Sequence, residues 1–239
     1  MSARTGQLLV KPRDSSSLWK NTRKRKAEAF DEKREALLKT AAALFRRYGY
    51  AGVSLNDVAD LLKITKPTLY YYVGSKDELL FEIVTRGQEQ ILAFLRTVDK
   101  SPGMTGAEKL ASIMAQYAEA VTTDFGACVL LTQPRDLEAK FRHQIGGRIR
   151  AADEIIRRIL AEGTRDGTLR VPDPAVTLQV LFGSLNWIPR WYKPEGRIKP
   201  DDFAKMQVEI LMQGVSTARD NGRPKVTTSK ARSPKRTKA

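Results

Sequence analysis

From Ala27 to Val215 the apolar residues recur at the three-to-four-residue period of an α-helix. No segment alternates at the period of two that a half-buried strand requires. This one regularity excludes sheet-based folds and predicts an all-α chain. Between Ala27 and Tyr48, Phe30, Leu37, Leu38, Ala41, Leu44 and Phe45 fall on one face with charges opposite, and Gly49 is a natural stop. Ser54, with Asp57 three residues on, opens a short helix to Leu62 that buries Leu55, Val58, Ala59 and Leu62. Thr65 caps a second short helix with Pro67 in its first turn, where the missing amide needs no partner. Gly74 ends it. Ser75 and Glu78 form the better capping box of the chain and open a long helix to about Val98.

The loop 99–107 is a boundary between two layers. Helical patterns resume over 108–123 and 136–162. A turn cluster, "GTRDGTLRVPDP", follows, with Asp173 as cap and Pro174 at the first helical position. Two further helices are expected, over 175–191 with a kink at Pro189 and over 201–215. The expected organisation is a disordered basic arm (1–26), a helix-turn-helix unit (27–74), a helical ligand-binding and dimerisation body (75–217) and a disordered basic tail (218–239).

The formal net charge of +15 points to an acidic partner, and its distribution matters more than its size. Residues 1–26 and 217–239 each carry eight Lys or Arg against one acid, +7 apiece, so the body is almost neutral. Such extensions are either loose phosphate-binding arms or plain solvated tails. Cys128 and His143 are the sole residues of their kinds. No internal disulfide and no Cys/His zinc site can therefore be assembled. No apolar run nears the roughly 20 residues that span a bilayer, and the N-terminus lacks the apolar stretch of a signal peptide. A cytoplasmic protein is expected, with no membrane contact and no cofactor. One histidine, no glycine-rich phosphate loop and no paired-carboxylate motif argue against an enzyme.

Two short helices joined tightly after a longer one make a helix-turn-helix, whose second helix can enter a major groove. That would explain three consecutive tyrosines, Tyr70, Tyr71 and Tyr72, after Lys66-Pro67-Thr68. They point around the helix about 100° apart and cannot all be core. A phenol ring packs on sugar while its hydroxyl reaches phosphate. The plainer reading is one core tyrosine and two ordinary surface ones. The candidate DNA-contacting set is Ser54, Thr65, Lys66, Pro67, Thr68, Tyr70, Tyr71, Tyr72 and Lys76. Lys66 and Thr68 are expected to read bases, Tyr70 and Lys76 to hold phosphate.

"LLKTAAALFRRYGYAGVSLNDVADLLKITKPTLYYYVGSKDELL", Leu37 to Leu80, resembles the DNA-binding domain of TetR-family transcriptional regulators. Agreement runs through Leu44, Phe45, Gly49, Tyr50, Ser54, Val58, Ala59, Thr65, Leu69, Tyr70, Ser75, Lys76 and Leu79. Lys63 stands where that family usually has glycine, and Tyr72-Val73 where it has His-Phe. The resemblance implies about nine helices, a homodimer, a palindromic double-stranded operator and a small-molecule effector.

"LFGSLNWIPRWYKPEGRIKPDDF", Leu181 to Phe203, is similar to the C-terminal region of TetR-like repressors of fatty-acid and steroid catabolism, which implies an acyl-CoA effector. Read from the residues alone, Asn186, Trp187, Arg190, Trp191 and Tyr192 crowd polar-tipped aromatics and a cation within two helical turns. They serve either a ligand or dimer packing. Leu178, Phe182, Leu185, Trp187 and Trp191 are expected to line a tunnel, with Arg190 and Arg148 holding phosphate or carboxylate. Arg148 lies in a second candidate stretch, "FRHQIGGRIR", which surface solvation explains more simply. Val176, Val180, Leu181, Leu185, Phe203, Met206, Val208, Leu211 and Met212 are expected to build a four-helix dimer interface. The alternatives are a multidrug-type sensor repressor and a DNA-compacting protein acting through its basic tails.

Overall fold

The computed structural model describes residues 26–133, 136–193 and 196–215, so the basic arm and tail lie outside the described residues. These residues form nine α-helices and no β-strand. They are α1 (Lys26–Tyr48), α2 (Leu55–Leu62), α3 (Lys66–Tyr72), α4 (Lys76–Asp99), α5 (Gly106–Ala120), α6 (Asp124–Leu131), α7 (Ala139–Arg165), α8 (Pro174–Asn186) and α9 (Pro200–Val215). A 3₁₀ turn, Ile188–Arg190, follows α8.

Apolar burial divides into two clusters. The first joins Leu37, Leu38, Phe45, Val58, Leu62 and Leu69 of α1–α3 to Leu79, Leu80, Ile83 and Val84 of α4. It does not stop at the helix-turn-helix, because Cys128 of α6 and Phe141 of α7 belong to it, and Phe141 stacks on Phe81 at 4.2 Å. The second gathers Leu92, Leu95 and Val98 of α4 with Leu110, Ile113 and Met114 of α5, Ile155, Ile156, Ile159 and Leu160 of α7, and the inner faces of α8 and α9.

Ion pairs tie α1 to its neighbours. Arg34 reaches Glu82 at 2.7 Å, and Arg86 is held between Glu35 and Glu82. Arg46 donates to the Thr122 carbonyl (2.9 Å) and to Asp124 (3.0 Å) at the start of α6. In the body, the buried Lys109 ammonium lies 2.8 Å and 2.9 Å from the two Glu162 oxygens and 3.2 Å from the Asp99 carbonyl. The α5–α7 crossing needs glycine, since a Cβ on Gly106 would sit 2.2 Å from the Gly163 backbone.

Several expectations change. Helix α6 falls in a stretch expected to lie between helices: "DFGACVLL" is so apolar that no polar face marks its period. Asp136 does not begin α7 but accepts from the Gln133 amide, and α7 starts at Ala139. Pro189 does not kink a continuing helix; α8 ends at Asn186 and the chain tightens into the 3₁₀ turn. Ser54 with Asp57 and Thr105 with Glu108 form reciprocal capping boxes, whereas Ser75 accepts from the Glu78 amide. Leu181, Leu185 and Phe203, expected at a dimer interface, are buried in the chain's own second cluster.

Lys63, where glycine was the expected residue, still takes the left-handed conformation, φ +57°. Its amide closes the end of α2 on the Ala59 and Asp60 carbonyls. The turn is retained with a side chain that disfavours it by roughly 1–2 kcal/mol. Glycine removes that strain but adds chain entropy of about 0.5–1 kcal/mol. Lys63→Gly is therefore expected to stabilise the protein by up to about 1 kcal/mol, read as a higher urea midpoint at unchanged slope.

Candidate nucleic-acid interface

Helix α3 has seven residues and is too short to stand alone. Its start is fixed by the Thr65 hydroxyl, which accepts from the Thr68 amide at 3.4 Å and pairs with the Thr68 hydroxyl at 2.8 Å. That pair uses one of the two hydroxyl protons and leaves the other for an outside acceptor. Leu69 alone of the seven is fully buried. Lys66, Pro67, Tyr70 and Tyr71 are exposed, Thr68 and Tyr72 half-buried.

The three tyrosines divide. Tyr72 packs against the first cluster and lies 4.8 Å from the Phe30 ring. Desolvation, and then Tyr71, push its phenol above the ordinary range. Tyr71 meets Phe30 and Tyr72 edge-on, at 5.6 Å and 5.1 Å, yet stays 72% exposed. Tyr70 is 54% exposed. Thus Tyr72 with Phe30 braces the helix end, and Tyr70 and Tyr71 are presented outward.

Beside Tyr70 lies an open groove of about 560 Å³, lined by residues 51–57, Tyr70, Gly74, Ser75 and Lys76. The N-termini of α2 and α4 both border it. Each N-terminus presents the positive end of its helix dipole, a setting suited to phosphate oxygens. The Ser54 side chain caps α2, accepting from the Asp57 amide at 3.2 Å. Lys76 is held by a partner that sequence reading assigned no role beyond family agreement. Its ammonium sits 4.0 Å from the Tyr50 ring centre, and the Tyr50 hydroxyl donates to Asp77 at 2.8 Å. Desolvation lowers the Lys76 pKa, while Asp77, Asp136 and Asp57 oppose the shift. Burial and the Asp77 bond raise the Tyr50 pKa, so this phenol stays protonated. Only an aromatic residue following Gly49 signals Tyr50 in the sequence.

The six ligand candidates separate into four settings. Phe182 is buried, its ring 5.4 Å from Tyr117, whose hydroxyl donates to Asn186. Arg190 lies 4.4 Å over the Trp187 ring, and Trp187 is 58% exposed. Trp191, half exposed, packs edge-on against Phe203 and Tyr192. Arg148 pairs with Glu89 of α4 at 3.1 Å. Leu178 and Leu185 are buried with Phe182, so the expected tunnel residues are divided between interior and surface. Among the described residues no His/Cys/Asp/Glu group is arranged to hold a metal, and no helix is long and apolar enough to cross a membrane. The Cys128 thiol is buried and pushed up to about 12.

Residues 37–83 match the family described as bacterial regulatory proteins, tetR family, and residues 103–215 match a tetracyclin repressor-like C-terminal domain. The HTH-type transcriptional repressor KstR2 of Rhodococcus jostii is 25% identical over 191 residues, spanning 77% of this chain and 92% of that one. A regulator of the TetR/AcrR family from Thermobifida fusca is 30% identical, with a TM-score of 0.56 over 77% of this chain and 98% of its own. AibR, solved with isovaleryl coenzyme A and operator DNA, is 27% identical, with a TM-score of 0.66 over 75% and 97%.

If the exposed face of α3 and the groove hold DNA, Tyr70→Ala and Lys76→Ala should weaken binding to every duplex. Changes at Lys66 or Thr68 should relax base preference. With about 6 to 10 phosphates neutralised, the slope of log affinity against log salt is expected at about −5 to −9. Fluorescence anisotropy on a specific and a scrambled duplex measures both. Full affinity in Tyr70→Ala and Lys66→Ala together would remove α3 from the groove.

Proposed function

The chain belongs to the TetR family of bacterial transcription regulators, and from that premise we propose that it is a repressor which grips a palindromic operator as a homodimer and releases it on binding an acyl-CoA thioester. Such regulators bind DNA and are not enzymes. The observation that carries the DNA reading is the division of α3: Leu69 anchors it, while Lys66, Tyr70 and Tyr71 face outward beside a groove bordered by two helix N-termini.

The dimer reading rests on an apolar stripe with no cover in the single chain. On α8 and its end, Val176, Val180 and Trp187 are 61%, 61% and 58% exposed, at spacings of four and seven. On α9, Met206 and Ile210 are 41% and 66% exposed, four apart. Gly183 and Gly214 fall at the helical repeat of these stripes, and a Cβ on either would meet nothing within 4 Å. Two copies of such a helix pair make a two-fold four-helix interface. Two-fold symmetry is what a palindrome with half-sites about one DNA turn apart requires.

The thioester reading is supported by likeness to AibR, solved with isovaleryl coenzyme A and operator DNA. In this chain the buried contact between Tyr117, Phe182 and Asn186 is the part of the candidate set that suits an effector. Trp187 continues the exposed stripe and suits the dimer.

Val180→Asp and Ile210→Asp are expected to yield monomers by light scattering at micromolar concentration and to lower operator affinity at least tenfold. An unchanged dimer in both variants would move the interface elsewhere. Short, long and ring-bearing acyl-CoAs titrated into the operator complex should include one that releases it, with Asn186→Leu weakening that response while dimerisation persists. Release by neutral aromatic drugs and by no thioester would make this a multidrug-type sensor. Equal affinity for operator and random DNA would favour the DNA-compacting alternative.

A further inference from the structure

Helix α4 passes through both apolar clusters and is interrupted between them. Leu79, Leu80, Ile83 and Val84 belong to the first cluster, and Leu92, Leu95 and Val98 to the second. The intervening residues, Thr85-Arg86-Gly87-Gln88-Glu89-Gln90, are all polar or glycine. Helix α7 repeats the pattern at the same level. Phe141 and Ile145 serve the first cluster, Ala151, Ala152 and Ile155 the second, and Gly146, Gly147 and Arg148 lie between. A polar layer thus crosses the molecule where α4 meets α7.

That layer is incompletely satisfied. Thr85 Oγ1, Gln88 Oε1 and Arg148 Nη1 are each buried without a hydrogen-bond partner. Thr85, Gln88 and Glu89 stand at i, i+3 and i+4 and share one face of α4. Arg148 meets that face, since its other terminal nitrogen pairs with Glu89 at 3.1 Å. Native interiors rarely leave such atoms unpaired, and three in one layer call for a polar occupant. The α7 face beside Arg148 is sparsely filled, since a Cβ on Gly146 or Gly147 would meet only the Arg150 side chain within 4 Å.

We infer that Thr85, Gln88 and Arg148 form a binding site for a secondary amide of the effector. The chemistry selects the class. Arg148 Nη1 offers a donor and Gln88 Oε1 an acceptor, matching an amide C=O and N–H, while the Thr85 hydroxyl serves either. A full anion fits less well, because Glu89 already neutralises Arg148, and Arg86 is taken by Glu35 and Glu82. The pantetheine arm of coenzyme A carries two secondary amides, so the inference rests on the thioester reading for the source of its ligand. Occupancy would bridge α4 and α7 between the two clusters, on the helix that leads directly to the DNA-reading head.

Calorimetry and thermal melting of the full chain test this with three probes. They are pantetheine, an acyl-CoA, and the free fatty acid of the same acyl chain. In Thr85→Val/Gln88→Met two of the three unpaired atoms are gone, so the ligand-free variant should melt higher than the parent. It should also bind pantetheine and the acyl-CoA at least tenfold more weakly, with fatty-acid binding unchanged. Thr85→Val alone, read in the same way, serves if the double variant does not fold. Equal loss for the fatty acid, unaltered pantetheine affinity, or no pantetheine binding to the parent would each overturn the site. So would crystals grown with pantetheine in which only an ordered water meets Arg148 Nη1. Operator release by a thioester without these affinity losses would overturn this inference alone. Pantetheine binding that needs Thr85 and Gln88, with no thioester releasing the operator, would uphold it and overturn the thioester reading.

Discussion

Helix α4 is the constraint on which the rest of the structure depends, because it supplies side chains to both apolar clusters. Its first two turns close the core under the reading helix through Leu79, Leu80 and Ile83, while Leu92, Leu95 and Val98 lie in the core of the body. A helix rises 1.5 Å per residue, so these 24 residues carry a displacement at one end over about 36 Å to the other. The α1 contacts limit how freely the head can follow. Glu82 and Arg86 of α4 hold Arg34 and Glu35, and Arg46 holds the start of α6. The packing of Cys128 and Phe141 into the first cluster adds to these ion pairs, so the DNA-binding end is fastened to the body through α4, α6 and α7.

The candidate DNA-facing surface illustrates how a weak helix is given a fixed position. A seven-residue helix gains almost nothing from its own hydrogen bonds. Thr65 orders its start, Leu69 anchors its middle, and the Tyr72–Phe30 contact secures its end. With these three points fixed, Tyr70 and Tyr71 can remain exposed without loss of order in the backbone that carries them. Lys76 shows the same economy, since the Tyr50 ring fixes the ammonium at the lining of the groove.

Much of this was legible in the chain. Helical period, caps and glycine stops placed α1 to α4 within one or two residues, because local chemistry decides those boundaries. Lys63 marked the one unusual turn. What was not legible depends on side chains far apart in sequence. Apolarity on every side hid α6, since a short helix packed against α1, α4, α5 and the 3₁₀ turn shows no polar stripe. Leu181, Leu185 and Phe203 were indistinguishable from interface residues by hydrophobicity, and only the packing of α8 and α9 against their own body separates them from Val176, Val180 and Ile210. Trp187 and Phe182 read alike as bulky apolar residues of one helix. Five positions apart, they face opposite ways, one to solvent and one to the core.

On the proposed reading, the polar layer is where a ligand would act on the fold. A continuous apolar core through α4 and α7 would lock head and body into one arrangement, since close-packed interiors resist small displacements. Thr85, Gln88, Arg148 and two glycines of α7 put polar groups and bare backbone between α4 and α7 at that level, while Gly87 lets α4 approach Val129 of α6 closely. Unpaired polar atoms at the same level are a cost in the ligand-free state that an occupant with matching donors and acceptors removes. A ligand shifts a conformational equilibrium only through its differential affinity for the two states. Each tenfold change in operator affinity needs about 1.4 kcal/mol of that difference. One or two buried hydrogen bonds, made in one arrangement and lost in the other, are of that size. The coupling therefore requires no large rearrangement, only that the two arrangements of α4 differ in whether Arg148 and Gln88 find their partners.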